Sequence, residues 1–324
     1  MTGGATIAPA RQARNHRGAS RVLNGGTAVS PRAPLALRST DDVAGIRRAG
    51  ELVALALEAG RAACVAGART RDIDAAIDAV IIGAGGEALF RGYRGSAGGA
   101  ERPAYPAASC ISVNEELVHG IPGGRVIRDG DIVSIDAGAR LDGWCADSAV
   151  TVCVGEVGEE ALALVACAER MLAHAVRAAR PGLRWSQVAA EMEQIAVASG
   201  FTVAVDFVGH GIGRELHEPP QVPCSVYASF LEGGDFTLRP GMVLAIEPMI
   251  VVERARRNDR GELQNPEVTL AADGWTVVLN SGARSCHVEH TVAVTRDGAE
   301  ILTVSAPRGS VADAATAPPV RRAG

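Results

Sequence analysis

A turn between two apolar arms is the feature that most constrains the fold. In segment 130–151, GDIVSIDAGARLDGWCADSAVT, the dipeptide Asp142-Gly143 suits a two-residue type I′ turn between two strands. This turn pairs position 136 with 149 and position 138 with 147, so Asp136 and Asp147 become diagonal neighbours on one face. Such Cβ atoms lie roughly 7 Å apart. We predict a β-hairpin whose two carboxylates can bind one or two cations, with a pair of solvated acids as the simpler alternative.

The composition is typical of a soluble globular protein, with 47% hydrophobic and 21% charged residues among 324. A formal net charge of −5 gives no reason to expect an obligatory nucleic-acid or membrane partner. The seven cysteines form no CxxC pair, which favours the reduced thiols of a cytosol over a disulfide framework. The chain has no apolar run of the roughly 18 residues that a membrane span needs. We expect a cytoplasmic protein, and a monomer because no apolar stripe demands a dimer.

The two ends of the chain differ from the part between them. Residues 1–35 contain arginines, no acidic residue and no apolar periodicity, and residues 305–324 are dominated by small residues and proline. We expect both to be disordered, with one folded domain over 36–304. An organelle transit peptide, or a docking motif at Pro31–Pro34, is the alternative for the first segment.

A plan of two helices followed by β-rich sequence occurs twice. Ser39 and Thr70 are the expected N-caps of the first helix pair. The predicted helices span 39–64, 70–83, 159–177 and 186–199. Strands are expected at 109–113, 201–208, 209–213, 242–252, 275–279 and 287–294, and surface loops at 96–104 and 254–265. We infer an internal duplication that builds one pseudo-symmetric α+β domain around a cleft, with chance likeness of alanine-rich helices as the alternative.

Acids and histidines interrupt the apolar β-rich segments. They are His119, Asp136, Asp147, His210, His217, Glu247 and Glu289. A carboxylate in a strand as apolar as 242–250 is costly to bury unless it is paired or binds a metal. Four carboxylates and one imidazole would suit a dinuclear site for Mn, Fe(II) or Co. Taken singly, each residue has a duller structural explanation, but all of those explanations would have to hold at once.

Five motifs together resemble the type I methionine aminopeptidases of the pita-bread metallopeptidase superfamily. They are ISVNEELVHGIPG (111–123), GDIVSIDAGARLDGWCADSA (130–149), GHGIGRELHEPPQVP (209–223), RPGMVLAIEPM (239–249) and VEHTVAVT (288–295). The resemblance covers about 35–303. It implies duplicated αα-β halves, related by a pseudo-two-fold axis, whose inner antiparallel strands line a dinuclear metal cleft. It also implies removal of the N-terminal methionine from nascent polypeptides, favouring a small second residue, with ribosome association left open.

The resemblance assigns roles residue by residue. The five metal ligands would be Asp136, Asp147, His210, Glu247 and Glu289. Asp136 would hold one metal and His210 with Glu247 the other, while the remaining two acids bridge them. The metals would be Co, Mn or Fe(II), with Zn and Ni as further options. Glu247 would carry the proton, and His119 and His217 would contact the substrate and stabilise the oxyanion.

The resemblance also implies an apolar pocket for the methionine side chain. Its residues would be Tyr93, Tyr105, Cys110, Leu216 and Trp275, for which ordinary packing is the alternative. The chain departs from the family in having Leu216 where a larger residue is common and His287-Val288 where a Gln-aromatic pair is typical. Loop 96–104 is an insertion, and the loop after Glu253 is longer and more charged. These departures would fit a specialised second copy of the enzyme.

Three rival functions follow from the same residues. Proline-directed relatives usually carry a large N-terminal domain, for which the stretch before the first helix is too short. Type II methionine aminopeptidases carry a helical insertion between the two metal-binding glutamates, and Glu247 and Glu289 are too close to hold it. A non-catalytic binding paralogue would have no need of four converging acids.

Overall fold

The computed structural model describes residues 35–97 and 100–304. The expected disordered ends therefore lie outside the described residues, apart from Leu35, whose side chain packs against the core around the second helix pair. The helices are α1 (Thr40–Ala63), α2 (Thr70–Gly83), α3 (Glu159–Ala178), α4 (Trp185–Ala198) and α5 (Ala228–Gly233). The strands are β1 (Glu87–Ala88), β2 (Ser96–Ala97), β3 (Ala100–Glu101), β4 (Ser109–Val113), β5 (Glu116–Val118), β6 (Ile132–Leu141), β7 (Trp144–Cys153), β8 (Thr202–Val203), β9 (Gly209–Gly211), β10 (Glu218–Val222), β11 (Val243–Ile246), β12 (Met249–Val251), β13 (Val268–Leu270), β14 (Val277–Leu279), β15 (Ser285–His287), β16 (Glu289–Val294) and β17 (Ala299–Ile301).

The first helix begins as predicted and the second does not. The Ser39 hydroxyl accepts a hydrogen bond from the backbone N–H of Asp42, whose carboxylate accepts one from the N–H of Ser39. This reciprocal capping box satisfies two free donors at the start of α1. At α2 the N-cap is Arg69, and Thr70 is the first helical residue. The prediction of Thr70 as the cap was therefore wrong. Its hydroxyl instead accepts the N–H of Gly123 and ties α2 to a neighbouring loop.

One antiparallel sheet runs through both halves of the molecule. Its strand order is β1-β6-β7-β16-β11-β9-β10, with β4 also on β6 and β17 also on β16. Helices α1 and α2 pack together on the first half, and α3 packs on α4 in the second. Two strand pairings join the halves: β7 pairs with β16 in the large sheet, and β5 pairs with β14 in a small sheet. The repeated αα-β plan predicted from the sequence is confirmed.

The hairpin β6–β7 has the predicted register. Gly138 lies opposite Asp147 and Asp136 lies opposite Ala149. Asp142 and Gly143 have φ angles of 51° and 76°. Two consecutive positive φ values are what a type I′ turn requires, and they match the right-handed twist of the strands. The turn therefore places both aspartates on one face of the sheet.

Two predicted strands change sheets part-way along. Segment 242–252 divides into β11, in the large sheet, and β12, in a small sheet with β8 and β15. Segment 287–294 divides likewise into β15 and β16 around Val288. Pro248 lacks the N–H that a continuous ladder would need. The chain therefore leaves the large sheet at Glu247, and the carboxylate of Glu247 sits at this break rather than inside a strand.

Other local predictions were correct only in part. Segment 201–208 forms only the short strand β8, and segment 275–279 forms only β14. Loop 96–104 contains the strand pair β2–β3, and its Arg102 is only 4% exposed. In loop 254–265 the side chain of Leu263 is buried. Both segments are thus more structured than surface loops.

Candidate active site

The hairpin contributes two acids to a single cavity. Asp136 on β6 and Asp147 on β7 line it, and Asp147 is 4% exposed. One oxygen of each carboxylate, Oδ1, is buried without a hydrogen-bond partner in the described part of the chain. A buried unpaired carboxylate oxygen is costly, so this wall of the cavity is suited to a positive charge.

The second half contributes one imidazole and two acids from neighbouring strands. His210 lies on β9, Glu247 follows β11, and Glu289 begins β16. His210 Nε2 is 3.5 Å from Glu247 Oε1. One ligand atom from each of Asp147, His210 and Glu289 lies within 4.8 Å of the others. The sheet order explains the meeting, because β9, β11, β16 and β7 are successive neighbours.

The orientation of the His210 ring is fixed by the backbone. Its Nδ1 is 3.0 Å from the carbonyl oxygen of Gly211, so this nitrogen is the donor and carries the proton. Nε2 is then free to act as a metal ligand, which is the arrangement that metal-binding histidines usually show. A Cβ at Gly209 would lie 2.3 Å from the Ala245 carbonyl oxygen, so glycine is required for β9 to approach β11 this closely.

Burial changes the pKa of every group in this wall. It raises the pKa of Asp147 to about 7 and lowers the pKa of His210 to about 4. The pKa values of Asp136, Glu247 and Glu289 are raised well above the ordinary range, first by burial and then by the neighbouring carboxylates. The four acids cannot all be charged together without compensation. A set of carboxylates with one neutral imidazole fits divalent cations such as Mn, Fe(II) or Co.

Two further histidines, His119 and His217, line the same cavity. The hydroxyl of Tyr93 is 2.9 Å from Nδ1 of His217, and the ring of His217 is 4.3 Å from that of His210. His119 has a φ of 60° and an unpartnered, buried Nδ1 in the described structure. Burial, and then the charge of Arg102, lowers its pKa to about 4. Both histidines are neutral at pH 7, because burial also lowers the pKa of His217 well below its usual value.

An apolar pocket adjoins the polar wall, which is formed by Asp136, Asp147, His210, Glu247 and Glu289. Tyr105 and Trp275 meet edge to face with ring centroids 5.2 Å apart. The Tyr105 hydroxyl shares its single proton between the carbonyl oxygens of Ser109 and Gly120, which fixes the orientation of the ring. The cavity has a volume of about 70 Å³ and is lined by Phe90, Tyr93, Tyr105, Cys110, His119, Asp136, Asp147, His210, Leu216, His217, Glu247, Trp275 and Glu289. Every site residue named from the sequence therefore lies in one cavity.

Three contacts at the site were not predicted from the sequence. Phe90 lines the pocket, but it belongs to the short apolar run 88–90 and carries none of the polar signals that marked the other residues. The Arg102 guanidinium lies 4.9 Å from the ring centroid of Trp275 and backs the pocket. His287 was noted only as a departure from the family, yet its Nε2 lies 3.6 Å from Glu247 Oε2. These contacts depend on tertiary structure that no local pattern reports.

A duplicated α+β fold with converging carboxylates, an imidazole and an adjoining pocket defines a metal-dependent hydrolase. The model of metallopeptidase family M24 matches residues 44–296. Methionine aminopeptidase 1 of Bacillus subtilis is 39% identical over 258 residues, which are 80% of this chain and 94% of that protein. The chain belongs to metallopeptidase family M24.

Solved structures agree with the family assignment. The methionine aminopeptidase of Thermotoga maritima is similar with a TM-score of 0.73 and 37% identity, covering 84% of this chain and all of that one (100%). The prolidase of Pyrococcus horikoshii shares the fold alone, with a TM-score of 0.61 and 22% identity over 84% of this chain and 64% of that one. In residues 35–97 and 100–304, no helix combines the length and apolar character that a membrane crossing requires.

Proposed function

We propose that this chain removes the N-terminal methionine from peptides and nascent proteins by metal-dependent hydrolysis, favouring a small second residue. One observation carries the proposal: four carboxylates and one imidazole share a cavity with an apolar pocket. The names of the family relatives matched over most of their length support methionine as the residue removed. A free N-terminus is expected to lie against the acids, with the methionine side chain in the pocket.

The polar wall is proposed to hold two divalent cations. Asp136 would bind one cation and His210 with Glu247 the other, and Asp147 with Glu289 would bridge them. The unpartnered oxygens of Asp136, Asp147 and Glu289 supply the negative charge that such a pair needs. When bound, the cations lower the pKa of a water molecule towards neutrality and polarise the scissile carbonyl. Cobalt, manganese and Fe(II) suit this donor set, with zinc and nickel as further candidates.

The surrounding side chains are proposed to handle protons and charge. Glu247 would carry a proton from water to the leaving amine, since a carboxylate can accept a proton and then donate it. His217 would donate through Nε2 to the developing oxyanion. Its Nδ1 is in contact with the Tyr93 hydroxyl, which can donate to it and leave the proton on Nε2. His119, buried and neutral, would contact the substrate beside it.

The pocket is proposed to select methionine through shape and soft contacts. Tyr93, Tyr105 and Trp275 present ring edges and faces, and Cys110 and Leu216 complete the wall. A thioether is flexible and polarizable and packs well against aromatic edges. Burial raises the pKa of the Cys110 thiol well above its usual value, so this side chain acts as an apolar contact.

The proposed removal of an N-terminal methionine also indicates the substrates and the cellular location of the enzyme. The substrates would be the free N-termini of nascent polypeptides, which the enzyme would meet at the ribosome. We place the enzyme in the cytoplasm, acting as a monomer without a nucleic-acid or membrane partner. Its role would be protein maturation.

The test is product analysis by mass spectrometry with chelator-treated protein. Co(II), Mn(II) or Fe(II) is added back in turn, and the substrates are a Met-Ala-Ser, a Leu-Ala-Ser and an Ala-Pro peptide. Release of methionine alone, and only with metal, is the expected result. Cleavage of the Ala-Pro peptide would instead support the proline-directed relatives. Asp147→Asn is the matched variant, and substantial turnover by it would contradict the assignment.

A further inference from the structure

The imidazole of His287 is buried next to Glu247 and has no assigned role. His287 is 3% exposed, and its Nε2 has no hydrogen-bond partner among the described residues. This nitrogen lies 3.6 Å from Glu247 Oε2. A buried imidazole nitrogen without a partner is costly, so the orientation of this ring calls for a functional explanation.

The backbone around His287 is held from two sides. His287 lies on β15 opposite Met249 of β12. Its N–H donates to the hydroxyls of Ser134 and Thr151, and its carbonyl oxygen accepts from Thr151. The main chain is thus fixed to the hairpin strands β6 and β7. Only the ring can adjust its position relative to Glu247.

Glu247 is therefore placed between two imidazoles. Its Oε1 faces His210 Nε2 at 3.5 Å, and its Oε2 faces His287 Nε2 at 3.6 Å. Both separations are slightly longer than a hydrogen bond. Polar contacts at active sites are often long without ligand and shorten when it binds. A small rotation of the His287 ring would complete the second contact.

We propose that His287 is a positioning residue that donates a hydrogen bond from Nε2 to Glu247 Oε2. This contact orients the carboxylate so that Oε1 stays on the side of His210 and the cation. Side chains that orient metal ligands in this way typically change metal affinity by 10- to 100-fold. The proposal rests on the proposed metal-binding function of Glu247 and adds a residue that sets the affinity.

The experiment titrates Co(II) into the metal-free full-length protein and follows visible absorption and binding competition with a chelator. His287→Leu removes the donor and should weaken Co(II) binding roughly tenfold. His287→Gln retains a donor that can reach Glu247 and should stay close to the wild-type affinity. His287→Asn is too short to reach it and should behave like the leucine variant, which covers a failure of the latter to fold.

His290→Leu is the matched control. His290 is a half-buried histidine next to Glu289 in the chain, but its Nδ1 is 2.9 Å from the Thr303 hydroxyl, outside the cavity. Its substitution should leave Co(II) affinity unchanged. Wild-type affinity in His287→Leu would overturn the positioning role. Equal weakening in His287→Gln and His287→Leu, with an altered Co(II) spectrum, would also overturn it, because His287 would then be a ligand. Absence of Co(II) binding by the wild type would instead contradict the proposed function itself.

Discussion

At the scale of single residues, Asp147 shows how the cavity is organised before any cation binds. The hydroxyl of Thr291 accepts a hydrogen bond from the backbone N–H of Asp147 at 3.0 Å and donates one to the carbonyl oxygen of Asp147 at 2.7 Å. The main chain is therefore fixed, while the buried Oδ1 of its carboxylate has no partner in the described structure. A buried carboxylate oxygen without a partner lowers the stability of the metal-free protein. The same fixed position raises the affinity of the carboxylate for a cation.

The first prediction concerns the pH dependence of the metal-free protein. Burial raises the pKa of Asp147 from 3.8 to about 7. Its contribution to stability is therefore complete below about 3.8 and is lost as pH rises through about 7. Buried histidines such as His210, whose pKa is lowered to about 4, have the opposite effect. Their contribution to the stability of the protein is lost as pH falls below 6.5. We therefore expect the melting temperature to fall as pH rises from 6.5 through about 7, where the histidines no longer oppose the effect and Asp147 is losing its proton.

Asp147→Asn removes one of the groups responsible for this fall. The variant should show a smaller decrease of melting temperature over the same pH range, measured by circular dichroism in the presence of a chelator. An identical slope in the two proteins would mean that Asp147 is not protonated in the folded, metal-free state.

The second prediction concerns Tyr93, which contacts His217 through its hydroxyl at 2.9 Å. Tyr93→Phe should lower kcat by about tenfold because the imidazole loses the group that fixes its orientation and tautomer. Metal affinity should not change, since Tyr93 is not one of the proposed metal ligands. Steady-state kinetics together with Co(II) binding separate the two effects, and an unchanged kcat would refute the role of the hydroxyl.

At the scale of elements, the close approach of β9 to β11 decides where His210 lies. A Cβ at Gly209 would meet the carbonyl oxygens of Ala245 and Val222 at 2.3 and 3.1 Å. Gly209→Ala should therefore separate the strands, lower the free energy of unfolding by about 1–3 kcal/mol and weaken metal binding. Gly83→Ala at the end of α2 is the control, because no atom lies within 4 Å of its added Cβ. Denaturant unfolding of both variants tests this third prediction, and equal stabilities would contradict it.

The elements also show how far the sequence determines the fold. The four long helices end within one or two residues of their predicted bounds, because capping residues and apolar periodicity are local signals. The register of β6–β7 follows from Asp142 and Gly143 alone. The changes of sheet at Glu247 and Val288 were missed, because partner strands come from distant parts of the chain. Pro248 was the one local signal of a break.

The candidate site likewise combines residues that local sequence signals identify with contacts that depend on distant parts of the chain. Its acids and histidines could be named because isolated polar residues in apolar strands are conspicuous, and the family motifs supplied their roles. The contact of Arg102 with Trp275 joins residues far apart in the sequence. The position of His287 beside Glu247 likewise requires the pairing of β15 with β12. Neither contact can be predicted from the periodicity of the sequence or from the spacing of its residues.

At the scale of the whole molecule, the two halves meet at the proposed metal site. Asp136 and Asp147 come from the first half, and the other three proposed ligands come from the second. Both strand pairings between the halves are short: Glu289 and His290 lie opposite Ala149 and Ser148, and β14 pairs with β5 at Val277 and Val118. Cations held by both halves would therefore act as a crosslink between them.

The fourth prediction follows from this arrangement. A ligand that binds only the folded state stabilises it by about 2.7 kcal/mol at a hundred times its Kd. Adding Mn(II) to the metal-free protein should therefore raise the melting temperature progressively and as a single transition, because both halves contribute ligands. Asp147→Asn should show little or no such increase. Scanning calorimetry over a series of Mn(II) concentrations measures the effect. If Mn(II) stabilised only one of two separate transitions, the ligands would belong to one half, and the metal would not connect the two.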